Sequence, residues 1–217
     1  TKINFKNNKK KKFLNRLIKQ KLSKKVLFSS VVPLAFKKIK IFLKKKNYKV
    51  FEIKNLKINS IIKTKVKKYN QLGSDRISNA LGSLKYKNSI IIDFGTATTF
   101  DIVKNRVYEG GVISPGINLS IQNLNKSTAL LPILNLKKEQ KNYGKNTQEA
   151  LNAGFLWGYE GLINNIIKKI SSRTKINYKI ILTGGYANFF KKNIKYKTII
   201  DQNVTIKGIA KAFKELI

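Results

Sequence analysis

The sequence predicts an α/β fold, and three stretches carry that prediction. Val26 to Pro33, an amphipathic run to about Leu43 and the alternating Tyr48 to Ile53 make a strand, helix and strand in succession, the pattern of helices layered on a sheet. Ile90-Ile91-Ile92-Asp93-Phe94-Gly95-Thr96-Ala97-Thr98-Thr99-Phe100-Asp101 is a buried strand, a tight turn and a second strand. Ile180-Ile181-Leu182 runs as another buried strand into Thr183-Gly184-Gly185.

Composition bounds the chemistry. At 217 residues and 42% hydrophobic content the chain is long enough for one large or two small domains with an ordinary core. No run has the length of a membrane span and no signal-peptide pattern opens the chain, so a cytoplasmic location is expected. Without Cys or His, disulfides, thiol chemistry, Ser-His catalysis and imidazole metal sites are excluded. Carboxylates, hydroxyls, amides and ammonium groups remain.

The charge is extreme: 46 Lys and Arg against 10 Asp and Glu, a net +36. Such a balance ordinarily suggests nucleic acid. Here the lysines are spread through every segment beside an excess of Ile and Asn, and form no recognisable binding motif with aromatic residues. That pattern reads as a lysine-rich compositional bias, and a nucleic-acid partner is not expected. In so basic a chain the four aspartates, Asp75, Asp93, Asp101 and Asp201, are the more informative residues.

In chain order, Thr1 to Phe5 alternates like a strand, and Lys9 to Leu22 suits a basic helix with Phe13, Leu14, Leu17 and Ile18 on one face. The strand from Val26 is expected to end at Pro33. Lys54 to Lys68 has no clear period. Leu72-Gly73-Ser74-Asp75-Arg76 is a glycine turn feeding a helix. Two readings stand there. Either Ser74 or Asp75 caps the helix and Arg76 lies on the surface, or Asp75 accepts a proton from an alcohol and Arg76 clamps a carboxylate.

Gly95 permits a turn or a close ligand approach. The Thr96, Thr98 and Thr99 hydroxyls with exposed N–H groups suit phosphate oxygens, and Asp93 at the strand end suits a cation. The plainer reading is a hairpin whose threonines satisfy turn hydrogen bonds.

Val107 to Ile113 makes the next strand, with Gly110-Gly111 in it, and Gly116 to Lys126 a helix. A long helix follows from about Gln148 to Ser171, with Thr147 as its expected N-cap. Gly154, Gly158 and Gly161 along it imply close packing against a neighbour. The flat backbone at Gly184-Gly185 suits a base or ribose, and Asp201 precedes a terminal helix.

Taken together, these motifs resemble the type III pantothenate kinases. Leu72-Gly-Ser-Asp-Arg-Ile-Ser-Asn79, Asp93-Phe-Gly-Thr-Ala-Thr-Thr-Phe-Asp101, Gly110-Gly-Val-Ile-Ser-Pro-Gly116, Gly144-Lys-Asn-Thr147 and Thr183-Gly-Gly-Tyr-Ala187 stand in that family's order. Ser29 to Pro33, Thr128 to Pro132 and Asp201 to Gly208 agree, so the resemblance spans essentially the whole chain.

The resemblance implies two ribonuclease-H-like domains around a nucleotide cleft, the actin-like ATPase fold, divided here as residues 1–88 and 89–217. It implies phosphorylation of pantothenate by ATP, the first step of coenzyme A synthesis, with potassium or ammonium, magnesium carried with the nucleotide, and a homodimer. Asp75 would be the base, sharing substrate binding with Gly73, Ser74 and Arg76. Asp93 would hold potassium, Thr96 would contact ATP phosphate, and Gly184 and Gly185 would lie near adenosine. Thr147 would touch pantothenate across the dimer interface. A non-catalytic regulatory or nucleic-acid-binding protein on the same scaffold is the alternative.

Two departures from the family pattern accompany this. The family opens with a strand ending Asp-Ile-Gly-Asn-Thr, and Thr1 matches the last residue of that phosphate loop, so the first strand and a catalytic Asp are expected to precede Thr1. Val66-Lys-Lys-Tyr69-Asn-Gln lacks the family's Pro, which weakens Tyr69 as a substrate contact.

Overall fold

The computed structural model describes residues 23–217. The strand expected over Thr1 to Phe5 and the helix over Lys9 to Leu22 lie outside them. Strand β1 (Lys25–Phe28) pairs in parallel with β2 (Lys49–Glu52), with helix α1 (Pro33–Lys44) between them. Pro33 starts α1 and does not end β1, because a first-turn position needs no N–H donor and favours the proline φ. Ile39, Leu43 and Tyr48 bury against Val26, Phe28 and Val50. The segment Lys54 to Lys68, without a clear period, overlaps the 3-10 turns Ile53–Asn55 and Ile58–Ser60, and a third, Tyr69–Gln71, follows it.

Helix α2 (Ser74–Gly82) leads to a five-stranded sheet of β3 (Ser89–Phe94), β4 (Ala97–Lys104), β5 (Val107–Pro115), β6 (Lys179–Gly184) and β7 (Thr198–Ile200). Helices α3 (Ile117–Lys126), α4 (Thr147–Thr174), α5 (Ala187–Phe190) and α6 (Val204–Leu216) complete the chain. The strand order is β5-β4-β3-β6-β7. The first three strands form an antiparallel meander, and β6 and β7 add in parallel beyond β3. This is a ribonuclease-H-like sheet, the unit of the expected actin-like ATPase fold.

Alternation along the strands divides the core into two layers. Ile90, Ile92, Phe94, Phe100, Ile180 and Leu182 face α3, α4 and α5. Ile91, Val103, Tyr108 and Ile181 face the other way, onto Ile77 and Leu81 of α2, Val204 and Ala212 of α6, and Ile53, Ile58 and Ile62. Residues on both sides of position 88 therefore build this second layer.

The first of two tight places is the crossing of α2 and α6. A Cβ at Gly208 would collide with the Ser78 carbonyl, and one at Gly82 with the Val204 carbonyl, so both glycines let the helix backbones touch. The second is in β5, where the register slips between Ile102 and Val103 and Gly110 takes φ +126°. This β-bulge places Tyr108 and Gly111 opposite Val103 and Asp101, on the same sheet face.

One expectation on α4 needs correction. Its N-cap is Asn146 and not Thr147: the Asn146 side chain accepts from the Glu149 N–H at 3.0 Å. Glu149 reaches back to accept from the Lys145 N–H at 2.9 Å, a reciprocal cap. Within one protomer, a Cβ on Gly154, Gly158 or Gly161 meets no atom of the described residues within 4 Å. They lie on the exposed side of α4, because its apolar side is supplied by Leu156, Ile163 and Ile167. Among the described residues no helix is long and apolar enough to cross a membrane.

Candidate active site

The site forms where the start of α2 meets the carboxyl ends of β3 and β6. In open α/β sheets such strand ends form the ligand crevice. Asp93, Thr99 and Asp101 point to the face of the sheet that α2 covers, because they alternate with Phe94 and Phe100 of the opposite layer.

Gly73 is the N-cap of α2, with no side-chain cap bond. A Cβ at Gly73 would collide with the Asp75 carboxylate, so the glycine lets that carboxylate fold back over the helix start. Asp75 Oδ1 accepts from the Arg76 N–H at 2.8 Å. The capping reading is met in part: Asp75 satisfies a first-turn donor, and its side chain is half-buried. Ser74 is buried, and its hydroxyl has no hydrogen-bond partner among the described residues.

Arg76 is neither a surface residue nor free to clamp a substrate with its whole fork. Its Nε donates to Asp101 Oδ1 at 2.6 Å. Tyr108 donates its hydroxyl to the same oxygen at 2.8 Å. Asp101 is fully buried, and that burial pushes its carboxyl up to about 6 despite the opposing Arg76 charge. Burial is the largest influence and works to lower the Arg76 pKa, but the Asp101 charge and hydrogen bond together with the Tyr108 and Asp75 charges hold the guanidinium above its ordinary value. Burial and then the Asp101 charge push the Tyr108 phenol upward.

A second polar chain joins α6, α2 and β3. Thr205 Oγ1 donates to Asn79 Oδ1 at 2.6 Å, and Asn79 Nδ2 donates to Asp93 Oδ2 at 3.4 Å. Asn79 is fully buried one helical turn after Asp75, which ties the helix carrying Asp75 to the strand end carrying Asp93.

Gly184 pairs with Phe94 across β3 and β6. It has φ +85°, and a Cβ there would stand 2.6 Å from Asp93 Oδ1 and 2.6 Å from the Phe94 carbonyl oxygen. Two glycine motifs about ninety residues apart in sequence thus meet at one oxygen-lined corner. The Gly185 N–H donates to the Phe94 carbonyl at 3.0 Å. At the hairpin tip Thr96 is exposed, and its carbonyl accepts from the Gly116 N–H at 3.0 Å. A Cβ at Gly116 would collide with that carbonyl, so the tip lies against the start of α3. Thr98 Oγ1 is buried without a hydrogen-bond partner among the described residues.

The structure therefore gathers Gly73, Ser74, Asp75 and Arg76 at one helix start and links it through Asn79 to Asp93, Gly184 and Gly185. Thr96 stands at the neighbouring hairpin tip. Thr147 is apart from them, exposed at the start of α4 in a turn tied to its own helix. Tyr69 is half-buried with its hydroxyl unpartnered among the described residues, and burial raises its pKa. Sequence reasoning missed Asn79, Tyr108 and the pairing of Arg76 with Asp101. The scarcity of aspartates pointed to Asp101 without showing its partner. Among the described residues no group of three carboxylates is placed to hold a metal ion.

This geometry has counterparts. The family model described as type III pantothenate kinase matches residues 1–169. A type III pantothenate kinase of Pelagibacter ubique is 48% identical over 204 residues, covering 93% of this chain and 82% of that protein. One from a Sulfurihydrogenibium species is 37% identical over 192 residues, covering 85% of this chain and 75% of that protein. A crystal structure described as a conserved putative Baf family transcriptional activator from Campylobacter jejuni superposes with a TM-score of 0.63 at 21% identity, over 93% of this chain and 87% of that one. That likeness shows the shared fold. On the family match and the two relatives, the chain belongs to the type III pantothenate kinase family.

Proposed function

We propose that this chain transfers the terminal phosphoryl group of ATP to the hydroxyl of pantothenate, with Asp75 as the base. The observation that supports this reading is the Asp75 carboxylate, folded over the start of α2 by the Arg76 N–H, on a helix that Asn79 ties to Asp93 at the strand end. Asp75 accepts the hydroxyl proton as the oxygen attacks the terminal phosphorus. The bond from that phosphorus to the bridging oxygen breaks, and ADP leaves with its electron pair. Such a transfer needs in-line positioning and charge neutralisation more than covalent chemistry.

Thr96 at the hairpin tip suits an ATP phosphate, and the exposed backbone of Gly185 beside Gly184 suits adenosine. Gly73, Ser74 and Arg76 would share pantothenate with Asp75 at the start of α2.

Asp93 Oδ1 and the Phe94 carbonyl oxygen, brought together beside Gly184, are the hard oxygen ligands that a monovalent cation such as potassium or ammonium would take. Magnesium would arrive with the nucleotide, since it is usually held by phosphates and one or two carboxylates. Bound together, the two cations would neutralise phosphate charge.

The exposed start of α4 with Thr147, and the exposed Gly154, Trp157 and Gly158 beyond it, favour a homodimer in which Thr147 reaches the pantothenate of the partner. The division into lobes at 88 and 89 belongs to the same proposal.

The test is coupled detection of ADP formed with pantothenate as acceptor. ADP formation dependent on pantothenate supports the reading. A folded chain that binds ATP yet makes none would favour the regulatory alternative.

A further inference from the structure

We propose that Asp101 is a positioning residue for the phosphoryl transfer, acting through Arg76 on the Asp75 carboxylate. The proposal rests on the reading of Asp75 as the base. The route is explicit in the bonds. Asp101 Oδ1 holds Arg76 Nε at 2.6 Å, and the backbone N–H of the same Arg76 holds Asp75 Oδ1 at 2.8 Å. The arginine is thus pinned to strand β4 by its side chain while its main chain aims the neighbouring carboxylate. Releasing the side chain frees the first turn of α2, the part of a helix with fewest internal bonds.

Three features of the sheet converge on this pair. Gly111 is the ladder partner of Asp101 on β5, and a Cβ there would collide with Arg76 Nη2. The guanidinium therefore occupies side-chain space left open at Gly111. The bulge at Gly110 turns Tyr108 onto the Asp101 face, where its hydroxyl donates to Asp101 Oδ1 at 2.8 Å. On the other side the ladder partner of Asp101 is Ile91, which is fully buried. A buried ion pair rarely stabilises a fold more than apolar residues of the same volume would. An Arg, an Asp, a Tyr, a glycine gap and a bulge assembled at one point serve orientation better than stability.

The pair also has a titration signature. The groups acting on Asp101 are Arg76 and Asp75 of α2 and Tyr108 of β5. Its carboxyl titrates at about 6 in the fold, so acid protonates it and weakens its hold on Arg76. The Tyr108 hydroxyl favours the ionised form. Removing that hydroxyl moves the titration to higher pH.

The experiment measures kcat and the KM for pantothenate and for ATP across pH, with a thermal melt, on wild type, Asp101→Asn and Tyr108→Phe. In the wild type, kcat falls on the acid side around pH 6. Asp101→Asn is expected to lower kcat about 10- to 100-fold with little change in the KM for ATP, since misplacing a reacting group by about an ångström has that effect. The acid limb near 6 is then absent. Tyr108→Phe keeps the ring in the core and shifts the acid limb upward. A folded Asp101→Asn with wild-type kcat and pH profile overturns the proposal. If Asp101→Asn does not fold, Tyr108→Phe decides: an unmoved limb overturns it. Activity retained by Asp75→Asn would instead overturn the assignment of the base, a separate failure.

Discussion

Asp101 and Gly111 face each other across the β4–β5 ladder, and the Arg76 guanidinium lies where a side chain on Gly111 would stand. One missing Cβ on β5 thereby admits the pair that anchors the start of α2. Gly111→Ala would drive a methyl group against Arg76 Nη2 and the Phe100 carbonyl oxygen. Forced overpacking typically costs about 1–3 kcal/mol. The expected result is a lower denaturant midpoint with an unchanged slope, and reduced kcat. A midpoint equal to wild type would show that the guanidinium has room elsewhere.

Asp75→Asn keeps the size of the side chain and its bond from the Arg76 N–H, while removing proton acceptance. Turnover should fall about 100-fold or more with little change in the melt. A folded variant that turns over near the wild-type rate would remove Asp75 from the mechanism.

The oxygen corner at Asp93 predicts dependence on a monovalent cation. Activity should be high in potassium or ammonium and fall when sodium replaces them, and Asp93→Asn should weaken potassium activation. Full activity in sodium-only buffer would count against a cation role for Asp93. Gly184→Ala gives a second check, because its Cβ would intrude 2.6 Å from Asp93 Oδ1 at a backbone φ of +85°.

The α2–α6 crossing predicts a stability effect. Gly208→Ala places a methyl group against the Ser78 carbonyl, inside a contact between two helix backbones. A loss of about 1–3 kcal/mol is expected, read from chemical denaturation. Gly161→Ala is the control: its Cβ meets no described atom within 4 Å on α4, and replacing glycine inside a helix should gain about 1 kcal/mol. Equal effects at the two positions would show that the crossing is looser than it looks.

Much of this molecule is written in local sequence. The β-branched run Ile90-Ile91-Ile92 made β3 legible, and the Gly95 turn followed from a single residue type. The starts of α2 and α6 were marked by glycine and by Asp201, and the motif order alone identified the family. What misled was also local. Pro33 reads as a stop, yet it opens α1. Thr147 reads as the cap of α4, yet Asn146 takes that place.

Arg76 and Asp101 lie 25 residues apart, and nothing in either segment names the other. Their meeting depends on which face of β4 the aspartate takes, on a bulge that turns Tyr108 to that face, and on an empty position at Gly111 in the ladder. The same holds for Asn79 and Thr205, 126 residues apart, and for the corner shared by Asp93 and Gly184. Backbone preference and side-chain period act over a few residues, and so the sequence by itself determined the elements and the residue types at the site. Register, helix crossing and burial are set only when distant segments pack, and so the tertiary structure alone decided which carboxylate holds the arginine and which is left to meet a ligand.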